Sequence, residues 1–273
     1  MLPNITLLSH RRRCIMDKKK FFQFGLTALA ATVLVACGSG DENTGSEASG
    51  EKVYIIGTDT TFAPFEFQND EGDFVGIDLD LLDAIAEDQG FEYDLRSLGF
   101  NAAVTALEAG QVDGVIAGMS INEERLLKYD FSDAYYTSSV GVAVKADSGY
   151  SSLADLAGTQ VVAKTGTVGA SFAESIKDEY GFEVKYVEDS STMYQDALTG
   201  NSSAVFEDYP VIQYEITRGM ELKVITQSEE GGEYGFATLK DKQPELVEMF
   251  NKGLQNLRDS GEYDEIIARY LGE

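Results

Sequence analysis

From residue 53 onward the chain runs twice through an alternation of short apolar segments and helix-length amphipathic ones, and this order limits the fold more than any other feature. VYIIGT (53–58) has the character of a buried strand. Residues 78–89 place Leu79, Leu82, Ile85 and Ala86 on one helical face, with Asp78 as the expected N-cap and Gly90 as the stop. Phe91, Tyr93 and Leu95 alternate with polar neighbours as strand residues do, Asn101 is the expected cap of a second helix through AAVTALEAG, and VDGVIAG is the next strand. After Asp147 the pattern restarts with VVAK, a helix over 169–180, EVKYV, a helix over 192–198, AVF and a helix over 210–218. Strands joined through helices pair in parallel, because the crossover returns the chain to the same end of the sheet. The expectation is an α/β protein of two parallel-sheet lobes.

The last part of the chain departs from the alternation. VIT (224–226) is followed by the polar QSEEGGE, a strand in YGFATLK and two helices, the second closing with EYDEIIARYLG. One strand and two helices make no sheet of their own, so they are expected to dock on the first lobe. The chain then crosses between lobes twice, near residues 136–139 and 231–234. Lobe 1 is thus expected over 53–138 plus 233–273, and lobe 2 over 139–232.

Ahead of the folded part, MDKKKFFQFGLTALAATVLVAC (16–37) has the layout of a secretory signal: three lysines, a short apolar core and small residues before Cys37. Residues 1–36 are read as that signal peptide, with Met16 as the true start and 1–15 as a segment placed ahead of it. LVAC resembles a bacterial lipobox, which makes Cys37 the expected site of diacylglyceryl modification and the anchor to the outer face of the cytoplasmic membrane; two acyl chains hold where one is marginal. Residues 38–52, rich in Gly, Ser and acid, are a solvated tether. The only histidine, His10, and the only other cysteine, Cys14, precede Cys37. A disulfide, a Ser-His-Asp triad and the commonest transition-metal ligands are therefore not available after processing.

Residues 1–36 hold six of the 21 Lys/Arg and one of the 47 Asp/Glu, so the remainder carries 15 against 46, a net charge of −31. So negative a surface repels phosphate backbones, and nucleic acid is not an expected partner. KTGTVG (164–169) has alanine where a phosphate loop needs glycine, and the acidic run 69–73 lacks the spacing of a calcium loop. No metal or cofactor is expected.

In open α/β sheets ligands bind beyond the carboxyl ends of strands. Several chemistry-bearing residues lie there. A dry cleft must satisfy every charge that its ligand brings. Arg125, in SINEERLL, offers a guanidinium matched to a carboxylate; as a helix residue it has the alternative of pairing at the surface with Glu123 or Glu124. The peptide N–H groups at Ser120 and around Thr167 are placed to share the anionic end. Asp208, in AVFEDYP, is a counter-charge for a ligand cation or the cap of the next helix.

GTDTTFAPFEF, GDFVGIDLDLLDAIA, GMSINEERLLKYDFSDAYY, VVAKTGTVG and AVFEDYP, in this order and spacing, resemble the polar amino acid substrate-binding proteins of ABC importers, the glutamine-binding group in particular. The resemblance covers essentially all of residues 53–273. It implies a two-lobed periplasmic-binding-protein-like fold (type II) joined by two hinge strands, a monomer that closes on one amino acid and delivers it to a membrane permease. It also implies that Asp59 faces the ligand side chain, that Phe62 and Phe100 wall it from two sides, and that Gly118 lines the same cleft. Phe65 and Phe67 are read as core or rim. Lys164 either reaches in from lobe 2 or is a solvated surface residue. Glu207 stands where the glutamine binders often carry histidine. Glutamine is thus the first choice of ligand, a basic amino acid such as arginine or lysine the alternative, and a dehydratase-like lyase using Glu207 as a buried acid the reading from a different class.

Overall fold

The computed structural model describes residues 52–272. The expected signal peptide, Cys37 and the expected tether up to Glu51 lie outside the described residues. The chain enters with β1 (Val53–Thr58), a small hairpin β2 (Phe67–Gln68) and β3 (Phe74–Val75), α1 (Ile77–Gln89), β4 (Glu92–Ser97), α2 (Phe100–Glu108), β5 (Gly114–Val115), the short α3 (Glu123–Leu126), β6 (Tyr129–Phe131) and the long β7 (Tyr136–Lys145). After a 3-10 turn at Leu153–Leu156 come β8 (Gln160–Lys164), α4 (Val168–Tyr180), β9 (Glu183–Val187), α5 (Ser190–Leu198), β10 (Val205–Asp208), α6 (Tyr209–Thr217) and the long β11 (Leu222–Tyr234). The chain closes with β12 (Ala237–Leu239), α7 (Pro244–Ser260) and α8 (Glu262–Leu271).

Two five-stranded sheets result, in the orders β4-β1-β5-β12-β6 and β11-β7-β10-β8-β9. Both are mixed where the sequence reading expected parallel sheets. In the first, β4, β1 and β5 are parallel, but β12 runs antiparallel between β5 and β6. In the second, β9, β8 and β10 are parallel, while β7 pairs antiparallel with both β10 and β11. The antiparallel strands are those the chain reaches without a helical crossover, coming from the opposite lobe or from a short connection. β7 and β11 pair with each other along most of their length, from Leu222↔Lys145 to Tyr234↔Tyr136, and carry the chain between the sheets together. QSEEGGE, read as a polar connector, lies within β11, with register shifts between Val224 and Thr226 and between Gln227 and Gly231.

Burial follows from the apolar faces. Ile77, Leu81, Leu82 and Ile85 of α1 are fully buried, and Phe236, which follows β11, stacks on Phe250 of α7 with ring centroids 4.8 Å apart. In the other lobe Val140, Val142 and Val144 of β7 pack with Val161, Ala163, Phe172 and Phe206. Each such side chain contributes about 1.5–3 kcal/mol by leaving water.

Two expected helix caps are corrected. α1 is capped by Gly76, whose φ of 152° and close approach to the Phe65 carbonyl admit no side chain, and Asp78 is instead fully buried. α2 begins at Phe100 behind Gly99, so Asn101 lies inside the first turn and donates across the lobes to Glu188 at 3.3 Å.

Candidate functional site

The carboxyl ends of strands from both sheets converge on one crevice. β1 delivers Asp59 and Phe62, the segment after β5 delivers Gly118 and Ser120, and α3 carries Arg125. From the second sheet β8 ends at Lys164, α4 is capped by Thr167 and β10 ends in Glu207 and Asp208. Phe62, Phe100, Gly118, Ser120, Arg125, Lys164, Thr167 and Asp208, with Ala117 and Val168, line one narrow crevice. All ten residues expected from the sequence are thus brought to one place, Asp59 and Glu207 through their contacts with Lys164.

Lys164 is the largest departure from a surface reading. It is 1% exposed, and its Nζ donates to Asp59 Oδ2 at 2.8 Å and to Ser190 Oγ at 3.0 Å, with Glu207 Oε2 at 4.0 Å. The ammonium also lies 4.3 Å above the Phe62 ring, a cation–π contact. Burial alone would lower its pKa; the charges of Asp59 and Glu207 outweigh that and raise it. Asp59 is therefore ion-paired and fully buried.

Glu207 has both oxygens engaged: Oε2 accepts from Ser190 O–H at 2.7 Å and Oε1 from the Asp208 N–H at 3.1 Å. Asp208 heads α6 but makes no capping hydrogen bond, which removes the cap as its role. Its Oδ1 is buried and no donor within the protein reaches it. Burial and then the charge of Glu207 push its pKa up to about 7, against the Tyr234 hydroxyl, Lys164 and Arg125.

Arg125 pairs with neither Glu123 nor Glu124. Its Nη1 donates to the Ser120 carbonyl at 2.7 Å and its Nη2 to the Gly166 carbonyl of the other lobe at 3.0 Å, and the guanidinium lies 5.4 Å from the Phe100 ring centroid. Burial lowers its pKa and Asp208 opposes that, but a guanidinium keeps its proton in either case. Thr167 Oγ1 accepts from the Ala170 N–H at 3.2 Å and donates to the Lys164 carbonyl at 2.7 Å, so its hydroxyl serves the helix start. Phe65 is fully buried among Phe62, Tyr136 and Tyr234, and Phe67 packs edge-on to Tyr214.

Gly118 has φ 53°, and a Cβ there would fall on the Phe62 ring. Glycine therefore serves both the turn and the ring packing. One contributor escaped the sequence reading. Ser190 links Lys164 to Glu207, and its N–H donates to Thr61 Oγ1 of the other lobe at 3.1 Å. Ser190 lies just beyond β9 at the start of α5, the kind of strand-to-helix junction that supplied the other candidates.

Chemically the crevice is lined by two cations, Arg125 and Lys164, and one carboxylate, Asp208, with aromatic rings beside them, while Asp59 and Glu207 stand behind Lys164 as its counter-charges. Among the described residues no helix is long and apolar enough to cross a membrane.

Residues 54–273 match the family model described as bacterial extracellular solute-binding proteins, family 3. The chain is similar to the arginine-binding extracellular protein ArtP of Bacillus subtilis, 34% identical over 255 residues covering 93% of this chain and 98% of that one. Among solved structures it is similar to the second substrate-binding domain of Lactococcus lactis GlnP in open conformation, at 43% identity, 82% and 97% coverage and a TM-score of 0.57. It is also similar to an ancestral arginine-binding protein bound to glutamine, at 32% identity, 81% and 98% coverage and a TM-score of 0.75. The chain belongs to the bacterial extracellular solute-binding proteins, family 3.

Proposed function

We propose that this protein is a receptor that captures an amino acid with a neutral amide side chain, glutamine as first choice, between its lobes and presents it to the membrane permease of an ABC importer. The backbone of the ligand would lie with its carboxylate on Arg125 and the N–H groups at Ser120 and Thr167, and with its ammonium on Asp208. Asp59, Lys164 and Glu207 would take the side-chain amide, and Phe62, Phe100 and Gly118 its aliphatic stem. The observation that carries this reading is the Lys164 ammonium fixed 2.8 Å from Asp59 Oδ2 and 4.0 Å from Glu207 Oε2. Such an end presents a donor beside acceptors, which an amide complements with its carbonyl and its NH₂. A second buried cation about 4 Å from Lys164 would meet repulsion of about 4 kcal/mol at an effective dielectric of 20.

A basic ligand is favoured by a different observation, the excess of one carboxylate in and behind the crevice and the arginine-binding relatives. Calorimetric titration with glutamine, arginine, lysine and histidine separates the two. Tightest binding of glutamine supports the amide reading; tightest binding of arginine or lysine replaces it. At about 100 times its dissociation constant the cognate ligand adds about 2.7 kcal/mol of stability, so a thermal screen of all twenty amino acids finds it.

On this reading the protein is a receptor without a chemical step, which the engagement of both Glu207 oxygens as acceptors supports against a lyase's acid role. Recovery of unaltered ligand after long incubation tests this. The lipid anchor at Cys37 rests on the sequence, and a C37A precursor that matures normally would remove it.

A further inference from the structure

Directly behind the lobe-1 wall of the crevice lie two carboxyl groups that no ligand reaches. Glu66 and Asp78 are both 0% exposed. Asp78 Oδ2 accepts the Gly118 N–H at 2.8 Å and the Tyr135 O–H at 2.8 Å. Asp78 Oδ1 and both Glu66 oxygens receive no hydrogen from any other group, yet the two carboxyls are close enough to hydrogen-bond to each other. Two ionised acids cannot share a dry site, and one proton between them removes both the repulsion and the missing donor.

We infer that Glu66 is a positioning residue that carries this proton: a neutral carboxyl locked onto the Asp78 carboxylate, holding together the Gly118 peptide and the Phe62 turn that form one wall of the ligand cleft. The backbone supports the link. The Phe62 N–H donates to the Glu66 carbonyl at 2.9 Å and the Glu66 N–H to the Phe62 carbonyl at 3.1 Å, so Glu66 closes the turn that presents the Phe62 ring to Gly118. The hydrogen bonds around the pair assign the proton: Asp78 Oδ2 already accepts from two donors, which favours its ionised form, whereas neither Glu66 oxygen receives one. Burial, then Asp78 and Asp59, push the Glu66 pKa well up against the pull of Lys164. Burial raises the Asp78 pKa as well, and there the Gly118 N–H, the Tyr135 O–H and Glu66 oppose it. Tyr135, whose pKa is raised well above its usual value by burial and by Asp78, keeps its proton and donates.

The inference rests on the reading of the crevice as the ligand site, and its test has an arm that needs no ligand. Infrared difference spectroscopy at alkaline pH, above the titration of Asp208, is expected to show the band of a buried protonated carboxyl in the wild-type protein and to lose it in E66Q. Absence of the band from the wild type, or its persistence in E66Q, would overturn the assignment. In the affinity arm the probe is glutamine. E66Q keeps a donor toward Asp78 and is expected to bind within about threefold of wild type, whereas E66A, which leaves the carboxylate short of a hydrogen, is expected to bind about tenfold or more weakly. Should E66A fail to fold, E66Q alone decides: a loss in E66Q as large as tenfold contradicts a neutral Glu66.

Discussion

Lys164 Nζ and Asp59 Oδ2 meet at 2.8 Å although 105 residues separate them and they stand at the ends of strands in different sheets. The pair exists only while the lobes are together. Replacing Lys164 by methionine leaves Asp59 and Glu207 buried without a cation, a loss of roughly 3–5 kcal/mol for a broken buried pair. Opening the cleft hydrates both acids, so the penalty falls on the closed form and not on folding. K164M is expected to bind glutamine at least about 100-fold more weakly and to expand in small-angle scattering, with little change in melting temperature. Wild-type affinity and compactness would refute the role.

Arg125 already bridges the lobes through the Ser120 and Gly166 carbonyls. R125A is expected to abolish the thermal shift given by the ligand while the ligand-free melt stays near wild type. R125K keeps the charge but loses the paired fork, and is expected to recover only part of the affinity. Titration calorimetry on both variants checks this.

Asp208, raised from 3.8 to about 7, sets a pH dependence. A ligand ammonium favours the ionised carboxylate, so affinity is expected to be constant above about pH 7 and to weaken as pH falls, by up to about tenfold per unit. For the ligand-free protein the sign is opposite: this group's contribution to stability is complete below its unfolded pKa and is lost as pH rises from 3.8 toward about 7. D208N should bind weakly at every pH and lose the slope. Calorimetric titrations from acidic to mildly alkaline pH measure both effects.

At Gly118 a side chain meets both a φ of 53° and the Phe62 ring. G118A is expected to cost about 1–3 kcal/mol in denaturant unfolding and to weaken ligand binding as Phe62 is displaced. An alanine variant of unchanged stability would contradict the packing.

The fold was legible because strand and helix periods reflect burial, which is local: the faces of α1 and the cores of β1 and β8 follow from spacing. The caps at Asp78 and Asn101 were misplaced because a carboxylate or amide near a helix start looks the same whether it caps or is drawn inward by Gly118, Tyr135 or Glu188. The mixed character of the sheets was missed because the antiparallel pairing of β12 and β7 depends on a return from the other lobe. At the candidate site, strand ends and the family resemblance together singled out residues that the structure brings close to one another, but their partnerships were not readable. That Lys164 takes Asp59 and Ser190, and that Glu66 faces Asp78, are long-range relations with no signature in spacing.

The irregular pairing of β7 and β11 bears on how the molecule moves. Between the pairs Gln227↔Gly141 and Gly231↔Ser139, three residues on β11 oppose one on β7. A ladder interrupted there can flex at the interruption, whereas two chains crossing side by side resist twisting about a single backbone. On the proposed reading, such a crossing favours a single swing of the halves, one that returns Arg125 and Asp208 to the same relative placement around each ligand.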